Sequence, residues 1–336
     1  MKKIRVLVVD DSLLFRELLA KELAADPQIE VVGKASDPFD ARDKILAYDP
    51  DVMTLDVEMP RMNGIEFLRR LLPQYPLPTV VISAVNDCVF EAIRLGAVDF
   101  IRKPDAAQIA AGSEFFKDLI LKVKTAAAAK LQPPAPQRSA PNPKSAAPPG
   151  GGRIIAIGAS TGGTVALTTV LASLKPPLPG IVVVQHIPPV FSKMFAQRLD
   201  SVTEFEVKEA ETGDEVRSGR VLIAPGDKHL RVKRTGALLK AECFAGEKVN
   251  GHCPSVDVLF HSVAPLGKGA VGVILTGMGY DGAKGLLAMR RAGARTIGQD
   301  EATSVVYGMP MTAYNIGAVE VQAPLEQIAA KICAML

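Results

Sequence analysis

Residues 154 to 163 read Ile154-Ile155-Ala156-Ile157-Gly158-Ala159-Ser160-Thr161-Gly162-Gly163. A short β-branched run closed by glycines is the signal of a buried strand, and the segment from Thr164 to Leu174 that follows it reads as a helix. Across the junction, Gly158-Ala159-Ser160-Thr161-Gly162 fits the Gly-x-Ser-x-Gly elbow, a sharp strand-to-helix turn that lifts a serine hydroxyl clear of a sheet. The same residues also fit a plain glycine-rich turn in which Ser160 or Thr161 caps the helix. Partners elsewhere in the chain decide between the two.

Downstream, Gly180-Ile181-Val182-Val183-Val184-Gln185-His186 is a second apolar run with a histidine at its carboxyl end. If the two strands are parallel neighbours through a right-handed crossover, Ser160 and His186 emerge on one edge, within hydrogen-bonding reach. A third run, Ala270 to Leu275, leads into Thr276-Gly277-Met278-Gly279-Tyr280-Asp281-Gly282, whose glycines allow a close backbone approach and whose Asp281 stands where a third group would. In this reading His186 takes the proton of the Ser160 hydroxyl, Asp281 orients the imidazole, and the backbone amides of Thr161 and Met278 receive the developing oxyanion. The chain order serine, histidine, aspartate differs from that of α/β-hydrolases, so the elbow does not carry that fold with it.

The loop 277–282 also matches Gly-x-Gly-x-x-Gly, with Asp300 at a tolerable distance for a ribose. Dinucleotide binding would leave Ser160 and His186 without a role and put Asp281 beside a pyrophosphate. A Walker loop would need lysine after Gly163, where Thr164 stands. His229, His252 and His261 read as surface or supporting residues. Residues 205 to 243 alternate like short antiparallel strands, with a hairpin around Arg234-Thr235-Gly236, and predict a secondary sheet or flap. Ser255 caps a helix whose apolar face is Val256, Leu259, Phe260 and Val263.

Upstream, residues 125–152 run into seven prolines between Pro133 and Pro149 and then three glycines, which predicts a semi-extended linker. Before it, residues 1–124 alternate as five strand-helix pairs, with strands at 4–9, 29–34, 51–55, 79–82 and 98–101. This specifies a flavodoxin-like doubly wound parallel sheet, whose sites lie beyond the carboxyl ends of the strands. Asp10 and Asp11 end the first strand, Asp56 the third, Ser83 the fourth, and Lys103 the fifth. Three converging carboxylates repel unless the Lys103 ammonium or a divalent cation compensates, and an oxygen-only set with open positions suits Mg²⁺.

The 336 residues, 48% hydrophobic and 22% charged, predict two ordinary globular domains, with the second spanning 153–336 as an α/β doubly wound, mostly parallel sheet with a small antiparallel element. Residues 1–124 carry a net charge of −3 and the remainder +6, three of those charges being in the linker. Neither domain has the basic surface of a nucleic-acid binder. No run has membrane-spanning length, the chain opens directly into a strand, and a cytoplasmic location is expected. Four scattered cysteines predict no disulfide framework, and Cys243, His252 and Cys253 lack the second ligand pair a zinc site needs.

Residues 1–124 resemble a two-component receiver domain. The resemblance implies that Asp56 accepts a phosphoryl group from a histidine kinase. It implies further that Asp10, Asp11, Asp56 and the Glu58 backbone carbonyl hold Mg²⁺, that Lys103 contacts the phosphoryl oxygens, and that Ser83 and Phe100 are the switch residues. Residues 153–336 resemble the catalytic domain of chemotaxis protein-glutamate methylesterases. The matching motifs are Gly-Ala-Ser160-Thr-Gly-Gly, Gln185-His186, Pro254-Ser255-Val256-Asp257-Val258-Leu259-Phe260 and Leu275 through Gly282. That resemblance implies a serine esterase, needing no cofactor for its own reaction, that acts on glutamate γ-methyl esters of chemoreceptors and deamidates receptor glutamines. The two-domain layout leads to the expectation that the unphosphorylated receiver covers the Ser160 edge and that phosphorylation of Asp56 loosens that contact. A receptor-docking module without catalysis and a hydrolase of small soluble esters are the competing readings.

Overall fold

Each apolar run of the first half is followed by a helix, and the alternation folds as read. The structure is a computed structural model, describing residues 2–84, 88–105, 109, 114–129 and 152–336, and it divides into two units, Met1–Pro136 and Gln137–Leu336.

In the first unit the order is β1 (Ile4–Val9), α1 (Leu13–Ala24), β2 (Ile29–Ala35), α2 (Pro38–Tyr48), β3 (Val52–Asp56), α3 (Gly64–Leu71), β4 (Thr79–Ser83), α4 (Val89–Leu95), β5 (Asp99–Arg102) and α5 (Glu114–Ala127). The strands form one parallel sheet in the order β2-β1-β3-β4-β5. Ser12, Asp37 and Asn63 accept main-chain N–H groups at the starts of α1, α2 and α3. Central β3 and β4 are buried along their whole length, as parallel strands covered on both faces must be. Helix α5 runs on to Ala127 with Thr125 and Ala126 buried. The expected linker lies, from 130 to 151, outside the described residues.

In the second unit, β6 (Ile154–Ala159), α6 (Gly163–Ser173), β7 (Gly180–Gln185) and α7 (Phe191–Val202) come first. Then follow β8 (Glu206–Glu209), β9 (Arg220–Ile223), β10 (His229–Thr235), β11 (Leu238–Phe244) and α8 (Val256–Val263). The chain closes with β12 (Ala270–Ile274), α9 (Ala283–Arg291), β13 (Arg295–Gln299), α10 (Met309–Asn315), β14 (Val321–Ala323) and α11 (Leu325–Met335). The seven-stranded sheet has the order β14-β13-β12-β6-β7-β9-β8, and every pairing in it is parallel. Strands β12, β6 and β7 are therefore consecutive neighbours, and the chain direction switches sides between β6 and β12, where open α/β sheets bind their ligands.

One expectation is corrected. Strands β8 and β9 are not antiparallel members of a secondary sheet; they extend the main sheet in parallel beyond β7. Only the expected hairpin is antiparallel, β10 against β11, and its Leu230, Val232, Leu239 and Ala241 share a core with Val256, Leu259, Phe260 and Val263 of α8. The hairpin thus braces α8 rather than forming a free flap. No helix among the described residues is long and apolar enough to cross a membrane.

Candidate active site

Ser160 stands at the tip of the turn between β6 and α6, with its N–H donated to the Thr276 carbonyl at 3.0 Å. The unusual backbone angle of this turn belongs to Gly162, φ 75°, and not to the serine, so the elbow is less strained at the nucleophile than the motif suggested. Glycine is required on both sides. A Cβ at Gly158 would come 2.2 Å from Val256 Cγ1, and one at Gly277 would come 2.7 Å from Ser160 Cβ and 3.1 Å from its nitrogen. The chain at Gly277-Met278 therefore runs directly against the serine, and Thr161 follows it on the other side.

His186 leaves the end of β7 and Asp281 precedes α9, so the three neighbouring strands bring all three side chains together. His186 Nδ1 lies 3.1 Å from Ser160 Oγ, and Nε2 lies 2.9 Å from Asp281 Oδ2. The ring thus faces the serine through Nδ1 and the acid through Nε2, the reverse of the usual Ser-His-Asp template. With Nε2 carrying the hydrogen donated to Asp281, Nδ1 has its lone pair toward the serine hydroxyl.

Asp281 is 1% exposed and fully engaged. Its Oδ1 accepts from Asn250 Nδ2 and Ser255 Oγ, both at 2.8 Å, and Oδ2 accepts the Val256 N–H at 2.7 Å as well as His186. Burial pushes this carboxyl up, but the hydrogen bonds from His186, Asn250 and Ser255 outweigh it and hold Asp281 well below the usual carboxylate range. Behind it, Asp257 accepts the other bond from Asn250 Nδ2 at 2.7 Å and the Gly285 N–H at 2.6 Å.

Gln185 was legible only as the neighbour of His186. Its Nε2 donates to the carbonyls of Ser160 at 2.9 Å and His186 at 3.1 Å, tying the nucleophile's turn to the base's strand end. Its Oε1 is buried without a hydrogen-bond partner, and a Cβ at Gly163 would meet that oxygen at 2.1 Å. Asn250, in a left-handed turn at φ 55°, was not read from the sequence either; the Asn250-Gly251 pair was the available turn signal. Of the other histidines, His229 is buried, accepting the Ser255 N–H on Nδ1 at 3.2 Å and placing Nε2 2.9 Å from the Glu247 carbonyl. The half-buried Cys243 points its thiol at the Ala210 carbonyl, 3.3 Å away, and burial pushes it up to about 11.

In the first unit the strand-end acids also converge. Carboxylate oxygens of Asp10, Asp11 and Asp56 lie within 4.8 Å of one another, with Asp10 and Asp56 buried and Asp11 exposed. Lys103 Nζ bonds Asp10 Oδ2 at 2.9 Å and Asp56 Oδ2 at 2.5 Å, and Asp56 Oδ1 accepts the Glu58 N–H at 3.1 Å. Burial, with the charge of Asp56 added, raises Asp10 to about 6 against the pull of Lys103. One ammonium for three carboxylates leaves negative charge over, and the oxygen donors fit a hard divalent cation that retains water. Ser83 and Phe100 are both buried, and Phe100 meets Phe90 edge-on with ring centroids 6.2 Å apart.

Each of these two sites lies in a part of the chain that matches a known family. The family described as CheB methylesterase matches residues 155–332, and that described as response regulator receiver domain matches residues 6–112. The chain is 57% identical over 330 residues to a Syntrophomonas wolfei protein called protein-glutamate methylesterase/protein-glutamine glutaminase 2, covering 98% of this chain and 96% of that one. A Salmonella typhimurium protein of the same name, without the number, is 45% identical, covering 100% of this chain and 98% of its own. Among solved structures, the Thermotoga maritima CheB methylesterase catalytic domain matches at 39% identity and a TM-score of 0.53, over 55% of this chain and 98% of that one.

Proposed function

Because the chain belongs to the CheB methylesterase family, we propose that it is a phosphorylation-controlled serine hydrolase serving adaptation in bacterial chemotaxis, cleaving glutamate γ-methyl esters on chemoreceptors and deamidating receptor glutamines. The observation that carries the reading is the unbroken hydrogen-bonded line from Ser160 Oγ through His186 to Asp281 at the ends of three adjacent strands.

Ser160 Oγ attacks the ester carbonyl as its proton passes to His186 Nδ1, while Asp281 holds the imidazolium through Nε2. The backbone amides of Thr161 and Met278, on the two segments flanking the serine, receive the tetrahedral oxygen; each such donor is typically worth roughly 10² to 10³ in rate. His186 then returns the proton to the departing methoxy oxygen, methanol leaves, and a water activated by the same nitrogen hydrolyses the acyl-serine to the glutamate carboxylate. A glutamine side chain follows the same course with ammonia leaving.

Asp56 is the phosphoryl acceptor, supplied by a histidine kinase. Asp10, Asp11, Asp56 and the Glu58 carbonyl hold Mg²⁺, which when bound supplies neutralisation of the phosphoryl charge. Lys103 contacts the phosphoryl oxygens, and Ser83 with Phe100 passes the change on. The unphosphorylated receiver restrains the esterase, helped by a tether that keeps it at an effective concentration of order millimolar.

Methanol release from methylated receptor membranes tests this. A small phosphodonor with Mg²⁺ should accelerate the natural chain and not Asp56→Ala, and Ser160→Ala should be inactive in every condition. Activity in Ser160→Ala would reassign the nucleophile, and absence of methanol throughout would favour a receptor-docking module.

A further inference from the structure

One face of the His186 ring is covered by a second imidazole. His252 stacks on it with ring centroids 3.7 Å apart and planes 13° from parallel, closer than the roughly 4.5 to 7 Å usual for aromatic pairs. The hydrogen bonds to Ser160 and Asp281 engage the edges of the His186 ring, whereas His252 lies against its face. The stack is itself anchored: His252 and Val249 exchange main-chain hydrogen bonds of 3.0 Å in both directions, and Asn250 between them is bonded to Asp281.

We propose that His252 is a positioning residue for the ester hydrolysis, holding the plane of His186 and, through its own charge state, governing whether the imidazolium can form. The proposal rests on the Ser160-His186-Asp281 reading. Attack by Ser160 places a positive charge on His186. A neutral ring presents an electron-rich face to that charge, whereas a protonated His252 sets a like charge at stacking distance. Around the pair stand Asp281 at the edge of His186, Asp257 behind it, and Asp227 and Lys248 beside the adjoining Cys253. Asp281 already accepts from His186, and Asp257 is occupied by Asn250 and Gly285.

The test is methanol release from methylated receptor membranes by the full-length phosphorylated protein, as kcat and KM against pH, for His252→Phe, His252→Arg and His252→Ala. Phe keeps a flat neutral face and should hold kcat at pH 8 within about threefold while extending activity to lower pH, since one inactivating protonation is gone. Arg keeps a flat face with permanent charge and should lose roughly 10- to 100-fold in kcat across the whole range. Ala should lose about tenfold in kcat with KM little changed, the cost of an unheld base. Thermal melting reports folding independently. The inference is overturned if Arg and Phe share one kcat and one acid limb, or if Ala matches the natural chain. Surviving activity in His186→Ala would instead sink the triad beneath it.

Discussion

Asp10 and Asp281 are buried acids at the carboxyl edges of two parallel sheets, one directly after its strand and one at the end of the loop that follows its strand, yet they are driven in opposite directions. Asp10 is raised to about 6 and Asp281 is held well below the carboxylate range. Burial acts on both alike, so the difference lies in their company. Asp281 is met by donors from an imidazole, an amide, a hydroxyl and two main-chain N–H groups. Asp10 shares one ammonium with Asp56 and faces Asp56's charge. A site complete within the chain stabilises its ion; a site left electrically open is shaped for something that arrives.

The largest expected effect removes the complete site's charge. Asp281→Asn should lower kcat by roughly 10³ to 10⁴ with KM much less changed, because the imidazolium loses its counter-charge and the tautomer its reference. Steady-state methanol release checks this, and a loss below tenfold would mean that Asp281 is only a structural acceptor.

The open site should respond to pH and metal together. The folded value of about 6 for Asp10 exceeds the ordinary 3.8. Its stabilisation is therefore fully present below about pH 4 and lost as pH rises through about 6, a swing of about 3 kcal/mol. Mg²⁺ should make this good, raising the receiver's melting temperature at pH 7.5 and scarcely at pH 4.5. Calorimetry on the full chain with and without Mg²⁺ decides it, and equal shifts at both pH values would contradict the assignment.

The smallest effect concerns the brace between strands. Gln185→Met removes two hydrogen bonds to the Ser160 and His186 carbonyls but also an acceptor that had no partner. The net cost should be about 1 kcal/mol of stability, with a few-fold loss in kcat. Denaturant unfolding beside turnover measures both. No change in either would show that the turn and the strand end hold themselves.

Much of this contrast was legible in the sequence, because each reacting side chain sits one step past an apolar run or a glycine loop, where periodicity marks the strand end. Ser160, His186, Asp281, Asp10, Asp56 and Lys103 were found that way. Asn250 was not, and Gln185 only as the neighbour of His186, since they act through contacts between segments far apart in the chain and carry no local pattern. The misreading of β8 and β9 has a physical source too. Glu206-Val207-Lys208-Glu209 alternates like a half-exposed antiparallel strand, but an edge strand of a parallel sheet is also open to water, and charge there discourages further pairing. Residues 283–336 yielded no elements because β13 and β14 are short and interrupted by small and polar residues.

Asp281 also receives the N–H groups of Val256 and Asp257 at the start of α8, so the acid of the catalytic line doubles as the cap of a helix that does not carry it. Active-site residues are commonly ones a protein could discard and become sturdier. Here that trade is reversed. Selection for robustness and selection for turnover press on the same carboxylate in the same direction, leaving this position no sturdier inactive form to drift toward.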